Sequence, residues 1–225
     1  MQAVILAAGR GTRMRPLTSK LPKPLLEIGG QRILEHTIDQ LHGIVDEVIL
    51  VVGYRGKLIQ KSFRDNYKGI KITYAWQKEQ LGTGDAAKQA LPFLKGPCLF
   101  MNGDDLYEKR DIKKILERYP SILVARTEHP ERYAVIETKG NKVISLVEKP
   151  KHPTGNLVSV GMYFLDPLIF QWNIKKSSRG EYEFTDYIRK WLKKKTLHYV
   201  ISSRWIPITT PENLLEAKRI LKLGN

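Results

Sequence analysis

The sequence predicts an α/β sandwich, and three observations carry that reading. Short apolar runs such as Ala3–Leu6 and EVILVVG (Glu47–Gly53) have the composition of buried strands. Between them apolar residues recur at helical spacing, first at Ile33, Leu34, Ile38 and Leu41. The two patterns alternate through the first half of the chain, as expected for helices packed on a sheet.

Taken in order, the strand at Ala3–Leu6 empties into a glycine-containing loop, and the first helix follows it. After Glu47–Gly53, the residues Leu58, Ile59 and Phe63 mark an amphipathic helix, and KITYAW (Lys71–Trp76) reads as a third strand. Thr83 to Leu91 reads as a helix leaving a Gly-rich turn, CLFMNG (Cys98–Gly103) as a buried strand, and Ile112, Ile115 and Leu116 as a helix before SILVAR (Ser121–Arg126). The second half changes character. Ala134–Pro150 predicts two strands joined at the turn-prone pair Gly140–Asn141, and Val158–Asp166 predicts another. Helices are expected over Phe184–Lys195 and Pro211–Leu221, the second with proline at its start. Neither a repeat nor a low-complexity linker interrupts the chain, so 1–225 is expected to form one domain.

Composition narrows the function classes. The chain has 225 residues, enough for one substantial core, and 42% hydrophobic residues is ordinary for a globular protein. No apolar run reaches membrane-spanning length and no basic segment precedes the first one, so neither a membrane span nor a signal peptide is expected. Cys98 is the only cysteine, which excludes an intrachain disulfide, points to a cytoplasmic setting and, in an apolar run, predicts a buried, inert thiol. The net charge of +15 suits an anionic partner. No nucleic-acid-binding motif accompanies it, and Lys193, Lys194 and Lys195 read as the solvated end of a helix. Nucleic acid is therefore not the expected partner. His36, His42, His129, His152 and His198 show no metal-ligand spacing.

The most informative stretch is LAAGRGTRMRPLTSKLPKP (Leu6–Pro24), where a strand delivers Gly9 and Gly11 and then Arg10, Arg13, Arg15, Lys20 and Lys23 within one loop. Glycines admit backbone N–H groups close to phosphate oxygens, and fixed cations offset their charge. The dinucleotide fingerprint fails because its third glycine would fall at Met14, and no Gly-Lys-Ser/Thr triplet completes a Walker A loop. LAAGRGTRMRPLT followed by PKP resembles the signature of the sugar-1-phosphate nucleotidyltransferases, which join a nucleoside triphosphate to a sugar 1-phosphate and release pyrophosphate.

That resemblance implies a three-layer Rossmann-like sandwich with a mostly parallel, mixed central sheet, the nucleotide-diphospho-sugar transferase fold. Residues 1–120 would mainly hold nucleotide and 121–225 sugar phosphate. It implies Arg13 on the leaving pyrophosphate and Lys23 on the α-phosphate or incoming phosphate. Leu6, Ala7, Ala8, Gly9, Gly11, Thr12 and Gly103 would form the nucleotide's bed. Gln77, Gly82 and Thr83, in a Gln-x-x-x-x-Gly-Thr pattern, would contact uracil or thymine, since a glutamine amide both donates and accepts. Asp104, after a strand in FMNGDD, would hold Mg²⁺, while its neighbour Asp105 would point elsewhere, in a supporting or helix-capping role. Glu148 and Lys149 in VEKP would meet sugar hydroxyls and phosphate, with Ala134, Ser159 and Val160 around the sugar. GEYEFTD (Gly180–Asp186) matches a family segment and is expected to close this side.

Three departures matter. Pro207 stands where the family's Trp-x-Asp pattern places a second metal carboxylate, so a one-carboxylate site or an impaired, regulatory subunit is expected. Ala134 replaces a glycine, and Ser159 with Val160 lack the asparagine of the N-acetylglucosamine branch, which leans the reading toward a glucose 1-phosphate enzyme using dTTP or UTP. Cytidylyl or guanylyl transfer is the remaining alternative. No hexapeptide repeat is present, so an attached acyltransferase activity is not expected. The family is often oligomeric, and a homo-oligomer is left open.

Overall fold

The computed structural model of the chain describes residues 1–223. In chain order the elements are β1 (Gln2–Ala7), β2 (Glu27–Ile28), β3 (Gln31–Arg32), α1 (Ile33–Asp39), β4 (Glu47–Val52), α2 (Gly56–Phe63), β5 (Asn66–Tyr67), β6 (Ile70–Trp76), α3 (Thr83–Gln89) and β7 (Cys98–Asn102). Then follow β8 (Asp105–Tyr107), α4 (Lys109–Leu116), β9 (Ser121–Arg126), β10 (Ala134–Lys139), β11 (Lys142–Glu148), β12 (Leu157–Leu165), α5 (Phe184–Leu192), β13 (His198–Ile201), β14 (Trp205–Pro207) and α6 (Pro211–Leu223).

Ten of the described strands form one mixed sheet in the order β10-β11-β13-β9-β12-β7-β1-β4-β6-β5. Parallel pairing holds the first half together: β1 with β4 and β7, and β4 with β6. The second half is mainly antiparallel, with β12 against both β7 and β9 and β10 against β11. β10 and β11 meet through the two-residue turn at Gly140–Asn141, where Gly140 has φ 58°. β13 was not anticipated, because HYVI offers only four residues and little alternation; it inserts in parallel beside β9.

Strand alternation builds the layers. Ala3, Ile5 and Ala7 of β1 join a core with Leu34 and Ile38 of α1, Ile59 and Phe63 of α2, and Ile112 and Ile115 of α4. Val4, on the other face, joins Ala86 and Ala87 of α3 with Phe184, Ile188 and Trp191 of α5. Strand β4 is buried on both faces, which is why its sequence is continuously apolar from Val48 to Val52. Cys98 is fully buried, and burial, aided by the charge of Asp166, pushes its thiol up to about 12. α5 ends at Leu192, and the lysines that follow close a turn, with the Lys194 and Lys195 amides donating to the Trp191 carbonyl. A third, smaller core joins Met14 and Ile28 to Ile206 and Ile208 and to Leu214 and Ala217 of α6, tying the cation-bearing loop to the C-terminal helix. No helix among the described residues is long and apolar enough to cross a membrane.

Candidate active site

A cleft of about 800 Å³ opens at the C-terminal ends of β1, β6 and β7, where ligands bind in open α/β sheets. Leu6, Ala7, Ala8 and Gly9 line it as β1 leaves the sheet, and Gly11, Thr12 and Arg13 continue its edge. Gly103 does not line it. That residue donates its N–H to the carbonyl of Leu6, which does.

Charge concentrates in one corner. Lys23 is only 6% exposed, yet its Nζ lies 2.6 Å from Oδ2 of Asp104, whose side chain is partly open to the cleft. Arg13 has no hydrogen bond or ion pair to any described residue, so its guanidinium is available to an anion. Asp105 departs from expectation. Instead of pointing away or capping α4, it sits in β8, is buried, and lines the same cleft; Glu108 occupies the cap position of α4. Burial and the charge of Asp104 push its carboxyl up to about 7 against the pull of Lys23. Its hydrogen bonds from Asn102 and Tyr107 are long, each 3.4 Å. Pro207 of β14 stands directly opposite Asp105 in the ladder.

No three His, Cys, Asp or Glu side chains among the described residues converge as a metal cage. Magnesium needs only one or two protein carboxylates when water and phosphate oxygens complete its shell. The partly exposed carboxylate of Asp104 on the cleft wall fits a metal carried in with a triphosphate.

On the second wall, Gln77 is buried and its Nε2 donates to the Gly82 carbonyl at 3.0 Å and to Asp85 Oδ2 at 2.9 Å. Both partners are acceptors, which fixes the amide's orientation and leaves its carbonyl oxygen to offer. Gly82 adopts φ 110°, and a Cβ there would meet the Tyr182 carbonyl oxygen at 2.5 Å. The close approach that demands glycine is thus made by the protein's own 181–184 segment. The Gly84 amide donates to Tyr182, the Tyr182 amide to Leu81, and the Phe184 amide to Thr83 Oγ1.

The third wall solves a geometric problem. Glu148 and Lys149 are consecutive, and in a regular strand they would face opposite ways. Lys149 instead takes φ 43°, a left-handed conformation uncommon for a side-chain-bearing residue, and both line the cleft. A similar device places Ser159 and Val160 together, because the ladder between β12 and β9 shifts register between Ser159 and Met162. Ser159 Oγ lies 2.9 Å from the Tyr163 hydroxyl, and Ala134 completes this wall. Burial raises the carboxyl of Glu148 above its ordinary range despite neighbouring Lys149, Thr185 and Arg179.

Several lining residues were not anticipated. Arg179 bridges Glu183 Oε1 at 2.6 Å and Glu148 Oε1 at 3.4 Å, and Thr185 donates to Glu148 Oε2 at 3.0 Å. All three lie in or beside GEYEFTD, the segment noted in the sequence without assigned roles. Arg10 donates to Gln80 at 3.2 Å. Tyr133 packs edge-on against Trp205, with ring centroids 4.9 Å apart.

The sheet and the charged cleft at its parallel end define an α/β protein of the nucleotidyltransferase, Rossmann-like class. A UDP-glucose pyrophosphorylase solved with UDP-glucose superimposes with a TM-score of 0.89 over 100% of this chain and 99% of its own, at 20% identity, which establishes the fold. A Bacillus anthracis protein, provisionally assigned as a glucose-1-phosphate thymidylyltransferase and solved with sucrose, matches at 26% identity and a TM-score of 0.85 over 98% of this chain and 94% of its own. The family model described as Nucleotidyl transferase matches residues 2–222, and the chain belongs to that family. Among its relatives are a bifunctional protein GlmU of Methanococcus maripaludis (40% identical, 96% of this chain, 53% of the relative) and the UTP–glucose-1-phosphate uridylyltransferase AglF of Haloferax volcanii (34%, 99% and 97%). A D-glycero-alpha-D-manno-heptose 1-phosphate guanylyltransferase of Aneurinibacillus thermoaerophilus is 31% identical over 99% of both chains. The chain spans about half the length of the GlmU relatives.

Proposed function

We propose that this protein transfers a nucleotidyl group from a nucleoside triphosphate to a sugar 1-phosphate, releasing pyrophosphate. The observation that carries this reading is one cleft with Arg13, Lys23 and Asp104 on one wall and Glu148 and Lys149 on another. Both reactants are anions and the attacking phosphate oxygen is already ionised near neutral pH, so no strong base is required. Positioning and charge neutralisation are what the reaction needs. Arg13 takes the leaving pyrophosphate, and Lys23 the α-phosphate or the incoming phosphate. Leu6, Ala7, Ala8, Gly9, Gly11 and Thr12 bed the nucleotide, with Gly103 supporting that bed through its hydrogen bond to Leu6, and Glu148 binds sugar hydroxyls beside the phosphate-facing Lys149. Asp104 would hold Mg²⁺, which when bound supplies further neutralisation of phosphate charge. Residues 1–120 mainly serve the nucleotide and 121–225 mainly the sugar phosphate.

UTP or dTTP is the favoured triphosphate. With its amide nitrogen committed to Gly82 and Asp85, Gln77 offers an acceptor, which suits the imide N–H of uracil or thymine and mismatches the N3 acceptor of cytosine. Guanine also presents a ring N–H, so GTP is the competitor to test. Pro207 favours one second reading, a nucleotide-sugar-binding regulatory subunit with weak turnover. Pyrophosphate release is to be measured across UTP, dTTP, CTP and GTP with glucose 1-phosphate and N-acetylglucosamine 1-phosphate. Turnover with UTP or dTTP is expected. Binding without turnover of any pair supports the regulatory reading.

A further inference from the structure

We propose that Thr18 and Arg55 are positioning residues that fasten the cation-bearing loop from its two sides, an inference that rests on reading Arg13 and Lys23 as phosphate-facing. The loop gathers Arg10, Arg13, Arg15, Lys20 and Lys23, whose like charges push it apart. Cations act well on a phosphate only when their positions are set before it arrives.

On the inner side, Thr18 is 1% exposed amid exposed neighbours, and its Oγ1 donates to the Gly11 carbonyl at 2.7 Å. The same carbonyl accepts the Met14 amide at 2.9 Å, closing the turn that carries Arg13. Gly11 has φ 61°, and a Cβ there would meet Thr18 Cγ2 at 3.1 Å and Lys23 Cβ at 3.2 Å. Thr18 therefore sits where the turn bearing Arg13 and the stem of Lys23 meet, and it does not itself line the cleft.

On the outer side, Arg55 donates from Nη2 to the Ser19 carbonyl at 2.8 Å and from Nε to the Tyr54 hydroxyl at 2.9 Å. The Tyr54 amide donates to the Ala8 carbonyl at 3.0 Å, so this clasp is mounted where β1 leaves the sheet. Arg55 holds φ 52° and ψ 27°, a left-handed conformation that arginine rarely adopts, at the start of α2. An unfavourable backbone held in place by side-chain contacts to a functional loop marks a retained constraint rather than a passive turn.

Three variants separate this role from general stability. Thr18→Val keeps the shape and removes the hydroxyl, Thr18→Ser keeps the hydroxyl, and Arg55→Gly removes the side chain while favouring the left-handed backbone. Binding of UTP and of inorganic pyrophosphate is to be measured by titration calorimetry beside thermal melting, with KM and kcat where turnover exists. Thr18→Val and Arg55→Gly are each expected to weaken both ligands about fivefold, the scale of one lost hydrogen bond. Thr18→Ser should restore affinity, and Arg55→Gly should melt no lower than the parent. Affinity within about twofold of the parent in either weakened variant, or loss that only parallels a fall in melting temperature, overturns the proposal. A parent that binds pyrophosphate yet turns over no substrate pair defeats the proposed activity while leaving this binding test intact. A parent that binds neither ligand defeats both.

Discussion

At the N-terminal ends of β4 and β6, Glu47 accepts from Thr73 at 2.7 Å and Gln2 at 2.9 Å, with Lys71 at 2.9 Å and Lys95 at 3.2 Å beside it. At the cleft beyond the opposite strand ends, Asp105 accepts hydrogen bonds of 3.4 Å from Asn102 and Tyr107, and the half-buried Glu148 has partners that do not offset its desolvation. Burial acts upward on all three carboxyls. At Glu47 the hydrogen bonds from Lys71, Thr73, Gln2 and Lys95 overcome it and bring the carboxyl down to about 2. At the cleft, burial and neighbouring charge win, and Asp105 rises to about 7. One end spends its donors on its own carboxylate. The other holds carboxylates whose partners do not offset burial, as expected of the ligand-meeting groups proposed above.

The largest test of this contrast removes the cleft's cations. Arg13→Ala and Lys23→Ala are each expected to lower turnover by about a hundredfold or more while the circular dichroism spectrum is kept. Near-normal turnover in either variant removes that residue from the mechanism. The next test is Glu148→Gln, which keeps the shape and removes the charge. Loss of one charged hydrogen bond should raise KM for the sugar 1-phosphate about tenfold. Because the folded carboxyl is raised, its ionisation costs stability as pH rises above its ordinary value. The variant should therefore melt no lower than the parent at pH 7, and a clear fall would show that Glu148 is a structural carboxylate like Glu47.

Glu47→Gln should do the reverse, leaving kcat and KM unchanged and lowering stability by on the order of 2 kcal/mol at pH 7. Its folded pKa is depressed, so the stabilisation is fully present above pH 4.5 and is lost as pH falls toward about 2. Parent and variant should converge in urea titrations across that window. A difference that persists unchanged at pH 2 would assign the effect to packing.

What could be read from the sequence follows the same division. The buried strands were legible because β4 and β7 carry their burial in consecutive apolar residues, and the cation loop because its charges and glycines are contiguous. The joint presentation of Glu148 and Lys149 was legible only as a motif, since what makes it work is the left-handed backbone at Lys149. Gly82 is legible as part of a Gln-x-x-x-x-Gly-Thr pattern and lines the cleft, but the close approach to Tyr182 that also demands glycine comes from a hundred positions downstream. Arg179, Glu183 and the placement of Asp105 opposite Pro207 depend on which distant segments meet, and no local pattern encodes that.

The smallest effect tests what holds Glu47 down. Lys95 and Lys71 approach it from solvent, with side chains 74% and 63% exposed, whereas Gln2 is buried and Thr73 is half-buried. Exposed ion pairs are screened and cost side-chain entropy, so Lys95→Ala is expected to lower stability by less than about 0.5 kcal/mol, and by less still at high salt. Gln2→Leu, which removes a buried donor to the same oxygen, should cost more and show no salt dependence. If Lys95→Ala matches Glu47→Gln and the loss vanishes in 1 M NaCl, the network is electrostatic from solvent, and its contrast with the cleft is one of exposure rather than of satisfied hydrogen bonds.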